Sequence, residues 1–220
     1  MTSPTLEELQ TEIDSVLPED IPNREQTLAI CAKHLQLVLV KNQQMNLTSI
    51  TAPREASIKH VWDSIEASPL LYDAQRVLDL GSGAGFPGIP LAAISPEKQF
   101  LLVESKKKKA AFLEEALSLL PLSNVEVHAV RTEELLKSRK VHVDTILVRA
   151  VGKIPKILNM LGEVRKSFNC LLLYKGGSAQ EEIDEAKPIA RQWGLYGEIV
   201  HEYELPEQMG TRTLVEYRKM

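Results

Sequence analysis

Cysteine is scarce in this chain. The two present, Cys31 and Cys170, stand far apart in apolar surroundings with no CxxC spacing, which argues against a disulfide framework and against a zinc site. Both read as buried thiols in a reducing compartment. Aromatic residues are 5% of the 220 positions, and no apolar run approaches the roughly 18 to 20 residues of a membrane span. The opening "MTSPTLEELQ" lacks the basic and then apolar layout of a secretion signal. A cytoplasmic location is therefore expected. Internal repeats and low-complexity tracts are also missing, which sets solenoids aside.

What remains is ordinary for a globular protein: 44% hydrophobic and 25% charged residues, enough for one sizeable domain with an appendage. The net charge of −4 discourages a nucleic-acid partner, but its distribution does not. Residues 74–168 carry fifteen basic and ten acidic groups, whereas the segments on either side are acidic. That block holds "ESKKKKAAF", with Lys106 to Lys109, and "RKSF". A local basic face is what a phosphate backbone needs, although a solvated helix start with snorkelling lysines reads the same way.

The first seventy residues read as helices. Leu6, Leu9, Ile13 and Val16, then Leu28, Cys31, Leu35, Val38 and Leu39, fall at helical spacing. "PREASIKHVWDSIEAS" starts on Pro53, suited to a first turn, and stripes Ile58, Val61, Trp62 and Ile65. A helical cap over 1–72 is expected, followed by a separate domain over 73–220. From residue 75 short β-rich runs alternate with helical stretches, the pattern of βα units on a parallel sheet. Strands are expected at 76–80, 100–104, 125–130, 145–148, 170–174, 199–204 and 213–217, with helices near 88–93, 107–119, 133–137, 154–165 and 180–194. Between the last two strands there is only "ELPEQMGTR", too short for a crossover helix, so they should pair antiparallel. The fold expected is α/β and doubly wound, with a seven-stranded, mostly parallel sheet that ends in a C-terminal hairpin.

The segment "VLDLGSGAGFPGIPLA" places glycines at 81, 83, 85 and 88 after the first strand. In an open α/β sheet this loop lies at the ligand crevice. Its glycines let backbone approach a ligand, Asp79 at the strand end can orient loop amides, and Glu104, ending the second strand, can accept from both hydroxyls of a ribose. From Gly83 the segment matches a dinucleotide fingerprint; from Asp79 it matches an S-adenosylmethionine loop. Pro87 and Pro90 remove two amides that a pyrophosphate would use, which favours the phosphate-free methyl donor. Proline is also simply a good helix start.

Further along, "NLTSI" at 46–50, "HVWDS" at 60–64, "RTEEL" at 131–135, "VRAV" at 148–151 and "YKGG" at 174–177 join that loop in an order that closely resembles the RsmG (GidB) family. Members of that family are bacterial 16S ribosomal RNA guanine-N7 methyltransferases with a Rossmann-like class I fold, and the resemblance runs from about residue 24 onward. It implies that Gly81 and Phe86 contact the cofactor, that Thr132 and Glu133 lie by the adenine, and that Arg149 reaches the methionine end or the active site. Lys175, Gly176 and Arg212 match positions that face RNA. The chain departs from the family at Lys41 and Met45, where a Trp and a Tyr are frequent, and at Thr213, where His is frequent.

The chemistry agrees with the resemblance. Guanine N7 carries an exposed lone pair, so methyl transfer needs no general base, and alignment of the reactants supplies most of the rate. The five histidines read as scattered, structural or surface residues. Cys170 opens an apolar strand, and "RAVGKIP" replaces the Pro-Pro-aromatic segment of amine methylation. A guanine presented in a loop is the expected substrate, because the A-form major groove is too deep and narrow to reach N7. Lys106 and Lys107, Lys175 and Arg212 are candidates for its backbone. Expected partners are 16S rRNA or the small ribosomal subunit, with no membrane, no metal and a monomeric chain; the alternative is a methyltransferase for another RNA or a small molecule. Replacing Lys175 or Arg212 by Ala should weaken RNA methylation, followed by label transfer, and leave cofactor affinity, followed by calorimetry, unchanged.

Overall fold

A computed structural model describes residues 4–138 and 141–220. Seven strands form one sheet: β1 (Arg76–Leu80), β2 (Gln99–Val103), β3 (Val125–His128), β4 (Val143–Arg149), β5 (Phe168–Lys175), β6 (Leu195–Glu204) and β7 (Thr211–Lys219). Their order is β3-β2-β1-β4-β5-β7-β6. The first five are parallel, and β7 runs antiparallel between β5 and β6. The central strands are apolar almost throughout, as strands covered on both faces must be. The expected seven-stranded mixed sheet with a reversed C-terminal pair is present.

Nine α-helical segments surround it: α1 (Leu6–Asp14), α2 (Arg24–Asn42), α3 (Pro53–Ala56), α4 (Asp63–Ile65), α5 (Gly88–Ile94), α6 (Lys107–Leu117), α7 (Thr132–Ser138), α8 (Ile154–Leu161) and α9 (Ala179–Gln192) among the described residues. Most boundaries fall within two residues of expectation, and three places differ by more. Strand β6 starts at Leu195 because Gly194, with φ +65°, ends α9 at once and turns the chain back. Helix α8 stops at Leu161, and the chain tightens into a 3-10 turn from Gly162, a weak helix former. The helix expected over 53–68 is broken into α3, a π-helical turn (Ser57–Trp62) and α4.

The cap rests on one face of the sheet. α1 starts with a capping box, Thr5 accepting from the Glu8 amide at 3.2 Å while the Glu8 carboxylate accepts from the Thr5 amide at 2.7 Å. It buries Leu9 and Ile13, and α2 buries Ile30, Leu35 and Val38. Arg54 joins the cap to the β6–β7 connection, pairing with Glu12 at 3.2 Å and Glu207 at 2.6 Å. Along β1, β2 and β5 neighbouring residues point to opposite faces, so Val77, Phe100, Leu102 and Leu172 join the cap residues and α5 in one core. Leu78, Leu101, Leu171 and Leu173 join α8 and α9 in the other. Both cysteines are free and buried, Cys31 in the first core and Cys170 on β5.

Because Leu9, Leu35 and Phe100 belong to one continuous cluster, we propose that the cap at 1–72 and the sheet domain at 73–220 unfold as one unit. Leu35→Ala should cost about 2–5 kcal/mol and shift a single urea transition. An early transition confined to the cap would mark it as independent.

Candidate active site

The helices that follow β1 and β4 pack on opposite faces, α5 against the cap side and α8 against the other. The two neighbouring strands therefore part at their carboxyl ends, which is where open α/β sheets bind ligands. A cleft of about 550 Å³ opens there. Loop residues Gly81 to Ala84 and Phe86, then Arg149 and Ala150, line its floor. Thr48, His60 and Asp63 close it from the cap, and Lys109, Tyr174, Lys175 and Arg212 rim it.

The glycine loop is held from beneath. Gly81 adopts φ +70°, and a Cβ there would fall 2.9 Å from Val151 Cγ2, so the position excludes side chains. Glu104 is 6% exposed; its two oxygens accept from the amides of Gly83 at 3.1 Å and Lys106 at 2.7 Å. Asp79 Oδ2 accepts from the Gly88 amide at 3.1 Å. Its other oxygen, Oδ1, is buried without a partner among the described residues, and burial pushes the carboxyl up to about 6.

Phe86 sits between two histidines that sequence reasoning treated as scattered. The His60 ring stacks on it at 4.7 Å and 12°, and the His34 ring meets it at 4.6 Å and 43°. His34 Nε2 lies 2.8 Å from the Ala84 carbonyl, which can only accept, so that nitrogen carries the proton. Burial pushes His34 down to about 4; burial, assisted by the nearby Arg149 charge, pushes His60 down to about 3. Both rings are neutral walls at pH 7.

Arg149 ends β4 with its guanidinium in the cleft. It donates to Asp63 Oδ2 at 3.0 Å and to the Lys59 carbonyl at 3.2 Å, and lies 5.6 Å from the Phe86 ring centre and 5.9 Å from that of Tyr174. The next residue, Ala150, holds φ +58°, an unfavourable conformation for a side-chain-bearing residue. Arg212, on β7, approaches the same Asp63 with Nε at 3.5 Å. Lys175 lines the cleft, but its ammonium is tied to Glu182 at 2.6 Å and to the Gly152 carbonyl at 2.9 Å.

Within the lysine run only Lys109 lines the cleft; Lys106 and Lys107 are exposed beyond it. Thr132 is buried and Glu133 half-buried, both on α7, and neither lines the cleft. Sequence reasoning missed the roles of His34, His60 and Asp63. A signal was present: "HVWDS" sets His60 and Asp63 three residues apart, on one face of a stretch that also buries Val61 and Ser64.

A doubly wound sheet with a glycine-lined, cation-rimmed cleft at its switch point defines a Rossmann-like protein with its ligand site at the strand ends. Solved structures share this fold: precorrin-6y C5,15-methyltransferase from Geobacter metallireducens matches with TM-score 0.55 and 13% identity over 80% of this chain and 92% of that one. The N-terminal domain of EvdMO1 matches with TM-score 0.53 and 14% identity over 72% and 83%. The chain belongs to the GidB family, rRNA small subunit methyltransferase G, whose model matches residues 27–204. The ribosomal RNA small subunit methyltransferase G of Solibacter usitatus is 44% identical over 94% of this chain and 98% of its own length, and that of Xylella fastidiosa strain M23 is 40% identical over 84% of each.

The two buried histidines make stability depend on pH with a definite sign. Each has a lower pKa folded than unfolded, so the unfolded chain binds more protons, and stability present above about 6.5 is lost as pH falls toward 4 and then 3. Asp79 acts oppositely, its contribution being lost as pH rises from the usual carboxylate range to about 6, and one carboxyl offsets only part of two histidines. Urea midpoints should therefore fall between pH 6.5 and 4, and His34→Gln should flatten that slope by about one proton.

Proposed function

We propose that this chain transfers the methyl group of S-adenosylmethionine to N7 of a guanine in a loop of 16S ribosomal RNA, acting in the cytoplasm as a monomer. The observation that carries this reading is the convergence, in one cleft, of a glycine loop that brings backbone to its floor beside Arg149, with Lys109 and Arg212 at its rim. The residues fit the cofactor. Gly81 takes the left-handed turn that brings loop backbone to the cleft floor with Val151 packed beneath it, Gly83 is anchored by Glu104, and Asp79 holds the Gly88 amide from below. The similar EvdMO1 domain was solved in the presence of SAH, which agrees with that fit. When bound, the cofactor supplies an electrophilic methyl on a sulfonium.

The chain's own residues then have simple tasks. Phe86, flanked by neutral His34 and His60, forms an apolar wall that excludes water from the reacting centre. Arg149, held between that wall and Tyr174, presents a fixed cation to the methionine end or to the incoming base. Gly81, Phe86, Asp79, Gly83 and Glu104 form the loop side of the cofactor site, and Thr132 and Glu133 stand for its adenine end. Lys109 and Arg212, with Lys106 and Lys107 outside, would hold the RNA backbone, and Lys175 would join them on exchanging Glu182 for a phosphate. No base is needed, since N7 attacks with its own lone pair. A covalent cysteine route has no support: burial pushes both thiols up to about 12, and neither lines the cleft.

Transfer of labelled methyl from S-adenosylmethionine to small ribosomal subunits lacking this modification, followed by chain cleavage specific for N7-methylguanine, tests the proposal. One cleavage site in a 16S loop is expected. Measurable cofactor binding with no label in subunits or free 16S rRNA would keep the cofactor and reject the substrate.

A further inference from the structure

Among the described residues lining the cleft, Asp63 is the sole acid, and it is 2% exposed. It belongs to the short α4 segment, yet its carboxylate meets three other parts of the fold. Oδ2 accepts from Arg149 at the end of β4. Oδ1 accepts from the Tyr203 hydroxyl on β6 at 2.9 Å and lies 3.5 Å from Arg212 Nε on β7. Cap, parallel sheet and terminal hairpin thus converge on one buried charge.

The two arginines are held unequally. The Arg149 side chain is 13% exposed and has two acceptors and two aromatic neighbours, so leaving Asp63 would strand a buried cation. Arg212 is 28% exposed, its approach to Asp63 is longer than a good charge-assisted hydrogen bond, and a second nitrogen already donates to the Thr211 carbonyl at 3.0 Å. An arriving phosphate can take Arg212 at little cost. Other lining cations are differently placed: Lys59 pairs with Glu55 at 2.7 Å and Lys175 with Glu182, both away from Asp63.

The geometry points to Asp63 as the positioning residue of the transfer site, one that keeps Arg149 fixed in the cleft and releases Arg212 to the RNA backbone. With Arg212 gone to phosphate, Asp63 and Arg149 form a neutral pair, and the carboxylate, still accepting from Tyr203, serves no cation but Arg149. RNA docking on the hairpin then tightens the cation beside the reacting centre, and the coupling is reciprocal. This rests on the RNA-methylating function proposed above.

The test compares Asp63→Asn, Asp63→Glu and Tyr203→Phe with the wild-type chain, each checked for a native circular dichroism spectrum. Small-subunit binding is measured as a function of salt, and methyl transfer at saturating subunit. Asp63→Asn should tighten subunit binding at fixed salt by about threefold, because Arg212 no longer has a carboxylate to leave, keep the wild-type salt slope, because Arg212 reaches phosphate in both chains, and lower kcat by about tenfold or more, because Arg149 loses its anchor. Asp63→Glu should restore the wild-type affinity and part of kcat. Tyr203→Phe, which leaves the charge in place, should keep the wild-type affinity, so a fold defect shared by all variants cannot imitate the result. An unchanged affinity, a steeper slope or an unchanged kcat in Asp63→Asn overturns the proposal. Affinity and slope are read from binding alone: a wild-type chain that binds subunits without methylating them sinks the function, while the two binding readouts still decide the role of Asp63.

Discussion

Two hydrogen-bonded neighbours, β1 and β4, must send their chains to opposite faces of the sheet, and the site depends on that constraint. Leu80 and Val148 sit opposite one another in the ladder, but the chain after β1 enters α5 on the cap side and the chain after β4 enters α8 on the other. Among the described residues no backbone hydrogen bond joins the loop after β1 to the loop after β4. The gap is filled by glycine-rich loop, by the Arg149 side chain and by open space. Conformational strain sits there too, with Ala150 at positive φ on the loop facing Gly81.

A gap of that kind would leave charged and polar groups half-solvated without the cap. The helical layer closes it with an unusual mixture: two histidines kept neutral by burial and one buried carboxylate paired with arginine. A buried guanidinium is tolerable only when paired and hydrogen-bonded, and Asp63 with the Lys59 carbonyl meets that demand for Arg149. The widened helical turn at Ser57–Trp62 lies immediately before Asp63 and carries both Lys59 and His60. Wide turns of this sort recur where a helix must place side chains for function.

Much of the fold was legible because parallel-sheet strands are apolar runs bounded by turn residues, and the runs around Leu78, Leu101, Ile146 and Leu172 need no partner to be recognised. The glycine loop was equally plain, since alternating glycines after a strand have a local cause. Arg149 stood out as a charge at the end of an apolar strand. The cap's contribution was hidden. α2 buries His34 in the same stripe as Thr27, Ile30, Cys31, Leu35 and Val38, so by spacing alone the histidine reads as one more core position. Lys175 looked free because Glu182, its partner, lies seven residues on, across a loop and a helical turn. The lysine run was visible, but helix geometry picks out Lys109 and turns Lys106 and Lys107 elsewhere.

By itself the sequence determined everything whose cause is local: strand and helix periodicity, the left-handed turn that only glycine takes easily at Gly81, the short connection that forces β6 and β7 to run antiparallel. Tertiary structure decided which charges meet. Asp63, Arg149, Tyr203 and Arg212 span 150 positions of chain, and His34 reaches Phe86 from a different layer. Their ionisation, and so their chemistry, depends on burial and on neighbours that no spacing rule encodes, because the dielectric around a side chain belongs to the packed molecule and not to its segment.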